Sequence, residues 1–298
     1  MTDDDIANRF IDRTAEQELF EELLQLAGGE RVLVITDVGD RGKSTLLQRL
    51  KYICEWKNAP ALPVSLIPLD QVTPADPYEL VRQIRRDLPL PFPEFDRLSD
   101  GLLAKEPNLF LGATSSVAGA VDARQTTVTG GVVAGAYVFA PNATAVTIER
   151  REWTPQIEER ARERTIDAFC RELRAICTTQ LVVLILDSVD ERANGTLREW
   201  TQRRIVRELC FDDETHAEKL LLVVAGRQRP PFATARYQAR FKSIDALGLW
   251  QEEHLRAFLA LNGIHDLSQE DFEFVYNKLK QGLGLSRALQ LASLIAKG

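Results

Sequence analysis

The sequence predicts an α/β fold: a three-layer sandwich with a mainly parallel sheet, followed by a small C-terminal helical unit. Three observations carry this. Short continuous apolar runs, RVLVIT from Arg31, PVSLIPL from Pro63, LVVLILD from Leu181 and KLLLVVAG from Lys219, read as strands buried on both faces. Helix-patterned stretches separate them, the alternation expected of a parallel sheet. From Gly248 onward only helical patterns remain.

Taken in order, Glu16 to Leu26 places Leu19, Phe20, Leu23, Leu24 and Leu26 on one helical stripe, ended by Gly28-Gly29. A strand follows from Arg31, then a loop to Gly42, then a helix from Lys43 into Trp56. After the strand from Pro63, Pro77 opens a helix that runs to Asp87. Pro89, Pro91 and Pro93 are expected to break any further helix. Ile157 to Cys177 is a long amphipathic helix. The C-terminal helices are expected over Gln251–Leu261, Gln269–Lys280 and Ser286–Ala296. No internal repeat of fixed period is present.

Composition narrows the class without naming a function. The 298 residues allow about two domains, and 45% hydrophobic with 27% charged residues is globular. A net charge of -7 argues against gripping nucleic acid by bulk charge. The N-terminus, MTDDD, has no apolar leader, and the uncharged stretch from Gln125 to Ile148 is broken by Gly, Asn and Pro, so no membrane span is expected. Cys54, Cys170, Cys177 and Cys210 form no Cys-x-x-Cys pair, which points to buried thiols in a reducing, cytoplasmic setting. The three histidines are scattered without metal-ligand spacing.

One segment departs from the average. From Pro107 to Ile148 only Asp122 and Arg124 are charged, and nine Ala, six Thr and five Gly fill nearly half of the 42 positions. Alternating Thr and Val with Gly-Gly and Pro-Asn turn signals predict short strands, hence a β-rich insertion. It reads either as a solvent-facing hairpin or as a surface for self-association or an effector protein.

The strongest chemical signal is RVLVITDVGDRGKSTLLQRL. A buried strand runs into a loop, Val38, Gly39, Asp40, Arg41 and Gly42, and then into a helix opened by Lys43, Ser44 and Thr45. Backbone N–H groups at such a loop and helix N-terminus face phosphates. Lys43 can neutralise the β- and γ-phosphates, and Ser44 can ligate Mg²⁺. The pattern Gly-x-x-x-x-Gly-Lys-Ser would place its first glycine at position 37, where this chain has Asp37. The second signal is LVVLILDSVDE: Asp187 ends an apolar strand and can hold Mg²⁺, and Asp190 or Glu191 can polarise water as general base. The third is LLLVVAGRQRP, where Arg227 follows a strand and can touch a γ-phosphate; Arg229 has a weaker claim. The GTPase base-reading motif Asn-Lys-x-Asp is absent, which favours ATP.

These blocks, in this order, resemble the STAND class of P-loop NTPases, especially NACHT-type and related bacterial ATPases. LILDSVDE is similar to their second motif and AGRQ to their sensor segment. RFIDRTAEQELFEELLQL resembles their N-terminal motif, Phe-Val-Gly-Arg-Glu, with Phe10, Ile11 and Arg13 matching and Asp12 and Thr14 in place of Gly and Glu. QGLGLSRALQLASLI resembles their Gly-Leu-Pro-Leu element, with Gly284 in place of Pro. The resemblance implies a P-loop NTPase sandwich and an ATP-binding switch. In it, ATP or ADP lies with Mg²⁺ between the sheet and a helical lid, with Phe10, Ile11 and Arg13 against the adenine. It also implies slow hydrolysis and association in the ATP form.

The organisation expected is an N-terminal motif and helix over residues 1–29, an NTPase core over 30–246 with the insertion at 107–148, and a helical lid over 247–298. No winged-helix pattern follows that lid and no effector precedes the core, so a fragment or a short stand-alone member is expected. Two alternatives stay open: an AAA+-like remodelling ATPase, and a nucleotide-binding scaffold in which Asp37 has ended catalysis.

Overall fold

The computed structural model describes residues 13–25, 30–37, 42–58, 60–106, 153–189, 195–212, 214, 216–230, 240–247, 251–281, 283 and 285–296. Among them are five strands: β1 (Val32–Thr36), β2 (Val64–Pro68), β3 (Val182–Asp187), β4 (Leu220–Gly226) and β5 (Phe241–Ile244). They form one sheet in the order β2-β3-β4-β1-β5, every pair parallel. The predicted insertion at 107–148 lies outside the described residues.

The strand sequences account for their place. All five residues of β1 and all seven of β4 are buried. Side chains alternate across a sheet, so burial at every position means that both faces are covered. On one face Leu33, Ile35, Val183, Ile185, Leu221, Val223 and Ala225 share a core with Phe20, Leu23 and Leu24 of helix α1 (Thr14–Leu24) and with Leu46, Leu47 and Leu50 of α2 (Lys43–Tyr52). The alternate residues Val32, Val34, Leu184 and Val224 are equally buried on the other face. The fold is therefore a three-layer α/β sandwich around a parallel sheet.

The remaining helices follow local signals. After α2 the chain continues as a π-helical turn over Ile53–Lys57. Helix α3 (Pro77–Asp87) is capped by Asp76, whose carboxylate accepts from Glu79 N–H at 3.0 Å, with Pro77 in the first turn. Two compact units are distinguished: residues 1–92 with 168–298, and residues 93–167. In the second, helix α4 (Pro93–Leu103) corrects the expectation that Pro93 would break the helix. Pro93 is its first residue, where a missing N–H costs nothing and the fixed φ suits a helix.

Helix α5 (Pro155–Cys177) starts two residues before its predicted bound. Helix α6 (Gly195–Trp200), its π-helical continuation Thr201–Phe211, and β5 were not predicted. In β5 only Phe241 is buried, so the short segment lacks the apolar run that marks the other strands. Helices α7 (Glu252–Leu261), α8 (Gln269–Lys280) and α9 (Leu285–Ile295) have a core of their own: Leu255, Leu259, Phe272, Val275, Ala288 and Ala292. The Arg256 guanidinium lies over the ring of Phe272, one of these residues, 3.7 Å from its centroid. Among the described residues no helix is long and apolar enough to cross a membrane.

All four cysteines are buried free thiols, as expected. Burial pushes the Cys54 and Cys177 thiols up to about 12 and raises that of Cys210 as well. A thiol reagent at pH 8 should therefore leave these three unlabelled in the folded chain and label them in denaturant, read by mass spectrometry. Above pH 9 the unfolded chain releases thiol protons that the folded chain keeps, so stability should fall as pH rises through that range. Leu33→Ala empties a fully buried site in a central strand and should cost about 2–5 kcal/mol in denaturant unfolding.

Candidate phosphate-binding site

In a parallel sheet all carboxyl ends lie along one edge, and ligands of such folds bind in the crevice outside it. Here Thr36 pairs with Gly226, and Asp187 pairs with Pro68. The residues that follow β1, β3 and β4 therefore leave the sheet on the same side. These are the segments that carry the three sequence signals.

Gly42 is the first described residue after the loop and stands at the N-cap of α2 with φ 86°. That left-handed backbone excludes most side chains and explains a glycine here. Lys43, Ser44 and Thr45 form the first turn of α2, where the helix dipole and the first-turn N–H groups favour an anion. The Lys43 ammonium donates to the Asp37 carbonyl oxygen at 2.6 Å. The Ser44 hydroxyl donates to Asp187 Oδ2 at 2.7 Å, joining residues 143 apart in sequence. The other carboxylate oxygen of Asp187 accepts from Ser188 N–H at 2.7 Å, which fixes the side chain. Ser188 itself takes φ 59°, and Val189 N–H then donates to the Ala225 carbonyl at 3.1 Å, tying the turn after β3 to the end of β4.

Arg227 directly follows β4 and is exposed. Arg229 is engaged elsewhere: its guanidinium lies 5.7 Å from the centroid of Phe241 in β5. Arg13 is 4% exposed and has φ 79°, an unusual backbone for a residue with a side chain. Its carbonyl accepts from Gln17 N–H at 2.9 Å, and Gln17 Oε1 accepts from Arg49 Nε of α2 at 3.0 Å. Gln17 thereby links Arg13 to the helix that bears Lys43. Phe10, Ile11, Val38, Gly39, Asp40, Arg41, Asp190 and Glu191 lie outside the described residues.

Asp37 is the residue that sequence reasoning undervalued. It is 8% exposed. Its N–H donates to the Gly226 carbonyl at 3.2 Å, and its Oδ2 accepts from the Leu247 N–H at 3.2 Å. The available signal was an aspartate at a loop position where the pattern has glycine.

The donor set suits the expected ligands. A hydroxyl and a carboxylate 2.7 Å apart are hard oxygen donors, and Mg²⁺ takes one or two such protein ligands with phosphates and water completing its shell. Among the described residues no group of three or more His, Cys, Asp and Glu is placed to hold a metal by itself.

No protein-family model matches the chain, and no curated protein matches it. Solved structures do. A chain in the structure of Drosophila ORC bound to DNA matches at 13% identity and TM-score 0.45, covering 93% of this chain and 53% of that one. Domain III of the Thermotoga maritima replication initiation protein DnaA matches at 12% identity and TM-score 0.43, covering 98% and 97%. The chain spans about half the length of the ORC chain.

Because Gly42 adopts a left-handed backbone, Gly42→Ala should lower stability by about 1–2 kcal/mol in denaturant unfolding. An unchanged midpoint would contradict that backbone.

Proposed function

We propose that the chain is an ATP-binding switch of the STAND type, with slow Mg²⁺-dependent hydrolysis that resets its conformational state. The observation that carries the reading is the direct contact of Ser44 with Asp187, beside Lys43 at the start of α2. Three residue types that P-loop chemistry needs thus meet at one sheet edge.

In this reading the Lys43 ammonium, which has three N–H donors, serves the phosphates, and the first-turn N–H groups of α2 donate to them. Ser44 and Asp187 hold Mg²⁺. When bound, that ion offsets phosphate charge and favours departure of the γ-phosphoryl group. Asp190 or Glu191 takes the proton of the attacking water, and Arg227 senses the γ-phosphate. Phe10, Ile11 and Arg13 lie against the adenine, with Arg13 braced through Gln17 to Arg49. To act as a switch, ATP and ADP must bind two conformations with different affinity; a full reversal from 1:99 to 99:1 takes about 5.5 kcal/mol of difference. Self-association or an effector partner reads out the ATP form, in a cytoplasmic setting.

Lys43→Ala should weaken ATP binding at least about 100-fold in calorimetry, the scale of a lost charged contact to phosphate. Unchanged affinity would sink the site assignment. Light scattering should give a larger particle with a non-hydrolysable ATP analogue than with ADP. Equal sizes, with turnover raised by added protein or nucleic acid, would replace the switch by an AAA+-like remodelling ATPase. Bound nucleotide with no phosphate release would leave a scaffold.

A further inference from the structure

A cavity of about 590 Å³ lies at the edge of the sheet opposite to the Ser44–Asp187 contact. Leu24 at the end of α1 lines it, with Arg31, Leu181 and Lys219, which directly precede β1, β3 and β4. These strands are neighbours and parallel, so the residues before them share the amino edge, a strand length or roughly 15–20 Å from the carboxyl edge. The volume is that of a cleft for a small organic molecule.

The cations of this cavity lack counter-charge. The Arg31 guanidinium donates to the Glu218 carbonyl, and the Lys219 ammonium donates to the Thr179 carbonyl at 3.0 Å. Both side chains are half-buried, and among the described residues neither has a carboxylate within ion-pair distance. Glu30, next to Arg31 in sequence, is taken by Lys242 at 3.2 Å. Elsewhere in this acidic chain cations do find carboxylates, as Lys57 finds Glu21 and Arg204 finds Glu208. A carbonyl fixes a donor in place but carries no full charge, so both positive charges stay uncompensated. Glu218 supplies the acidic side chain of the lining and is exposed.

We propose that this cavity is a second ligand site, separate from the nucleotide site, and that it binds a small organic phosphate monoester. Arg31 and Lys219 take the phosphate, and Leu24 and Leu181 take the organic body. Each cation keeps N–H donors beyond the one on its carbonyl, and the planar Arg31 fork suits two oxygens of one phosphate. A phosphate monoester is nearly a dianion at neutral pH, so two cations match its charge, and its free oxygens can accept from both at once. A carboxylate brings one charge and fewer oxygens, and so leaves donors of the pair unmet. Leu24 belongs to the main core and Leu181 packs against it, so an apolar body laid on them loses water contact on an existing apolar surface.

The test is calorimetric titration of the full chain with phenyl phosphate, without nucleotide. The wild type should bind it saturably, and Lys43→Ala should retain that binding, because Lys43 stands at the other edge of the sheet. Replacing both cations, Arg31→Gln with Lys219→Gln, should weaken binding at least about tenfold, the scale of lost charge-assisted hydrogen bonds. Inorganic phosphate, which lacks the apolar body, and benzoate, which lacks the second charge, should each bind at least about fivefold more weakly than phenyl phosphate. If the double variant does not fold, Glu218→Gln decides: removing this exposed like charge should tighten binding about threefold, and unchanged affinity would overturn the proposal. No binding by the wild type, or unchanged affinity in a folded double variant, would also overturn it. Loss of binding in Lys43→Ala would move the ligand to the phosphate loop and overturn the second site. Inorganic phosphate or benzoate binding as tightly as phenyl phosphate would overturn the ligand class.

Discussion

The parallel pairing of β3 with β4 and of β4 with β1 is the constraint on which the site depends. It sets three chain segments, far apart in sequence, to leave the sheet at one edge. With one of these strands reversed, Asp187, Arg227 or the phosphate loop would leave at the opposite end, beyond the reach of any side chain. The pairing is in turn enforced by burial on both faces, because Val, Ile and Leu occupy nearly every position of β1, β3 and β4. Packing and site geometry therefore have the same cause.

Within that frame the site is completed by a few polar contacts at the rim of the sheet. Ser44 and Asp187 meet directly, and Lys43 is held on the backbone of the residue that precedes the loop. Asp37 follows β1 and Val189 follows the turn after β3, and the N–H of each ties its turn to the end of β4. These contacts are short-range and exchangeable, unlike the core.

Much of this was legible in the sequence because it depends on period and spacing. The continuous apolar runs marked four of the five strands, and Gly42-Lys43-Ser44 after a strand marked the start of α2 as the candidate phosphate site. Asp187 stood out as a carboxylate ending the most apolar strand. β5 was missed because FKSI has no buried run. The helix beginning at Pro93 was missed because Pro was taken as a breaker, whereas at a first turn it is favourable. The tie from Asp37 to Leu247 was beyond reach because its partner is a backbone N–H, which carries no side-chain signature. So was the brace from Arg13 through Gln17 to Arg49, since no local pattern marks a glutamine that links two helices.

Nucleotide binding with Mg²⁺ at the rim formed by Lys43, Ser44 and Asp187 is the proposal on which the switch reading stands. Titration of the wild-type chain with ATP, in the presence of Mg²⁺ and then with the ion chelated, tests it most directly. The expected result is saturable binding at one site per chain that weakens when Mg²⁺ is removed. Absence of binding in both conditions, or binding of equal strength in both, would contradict it.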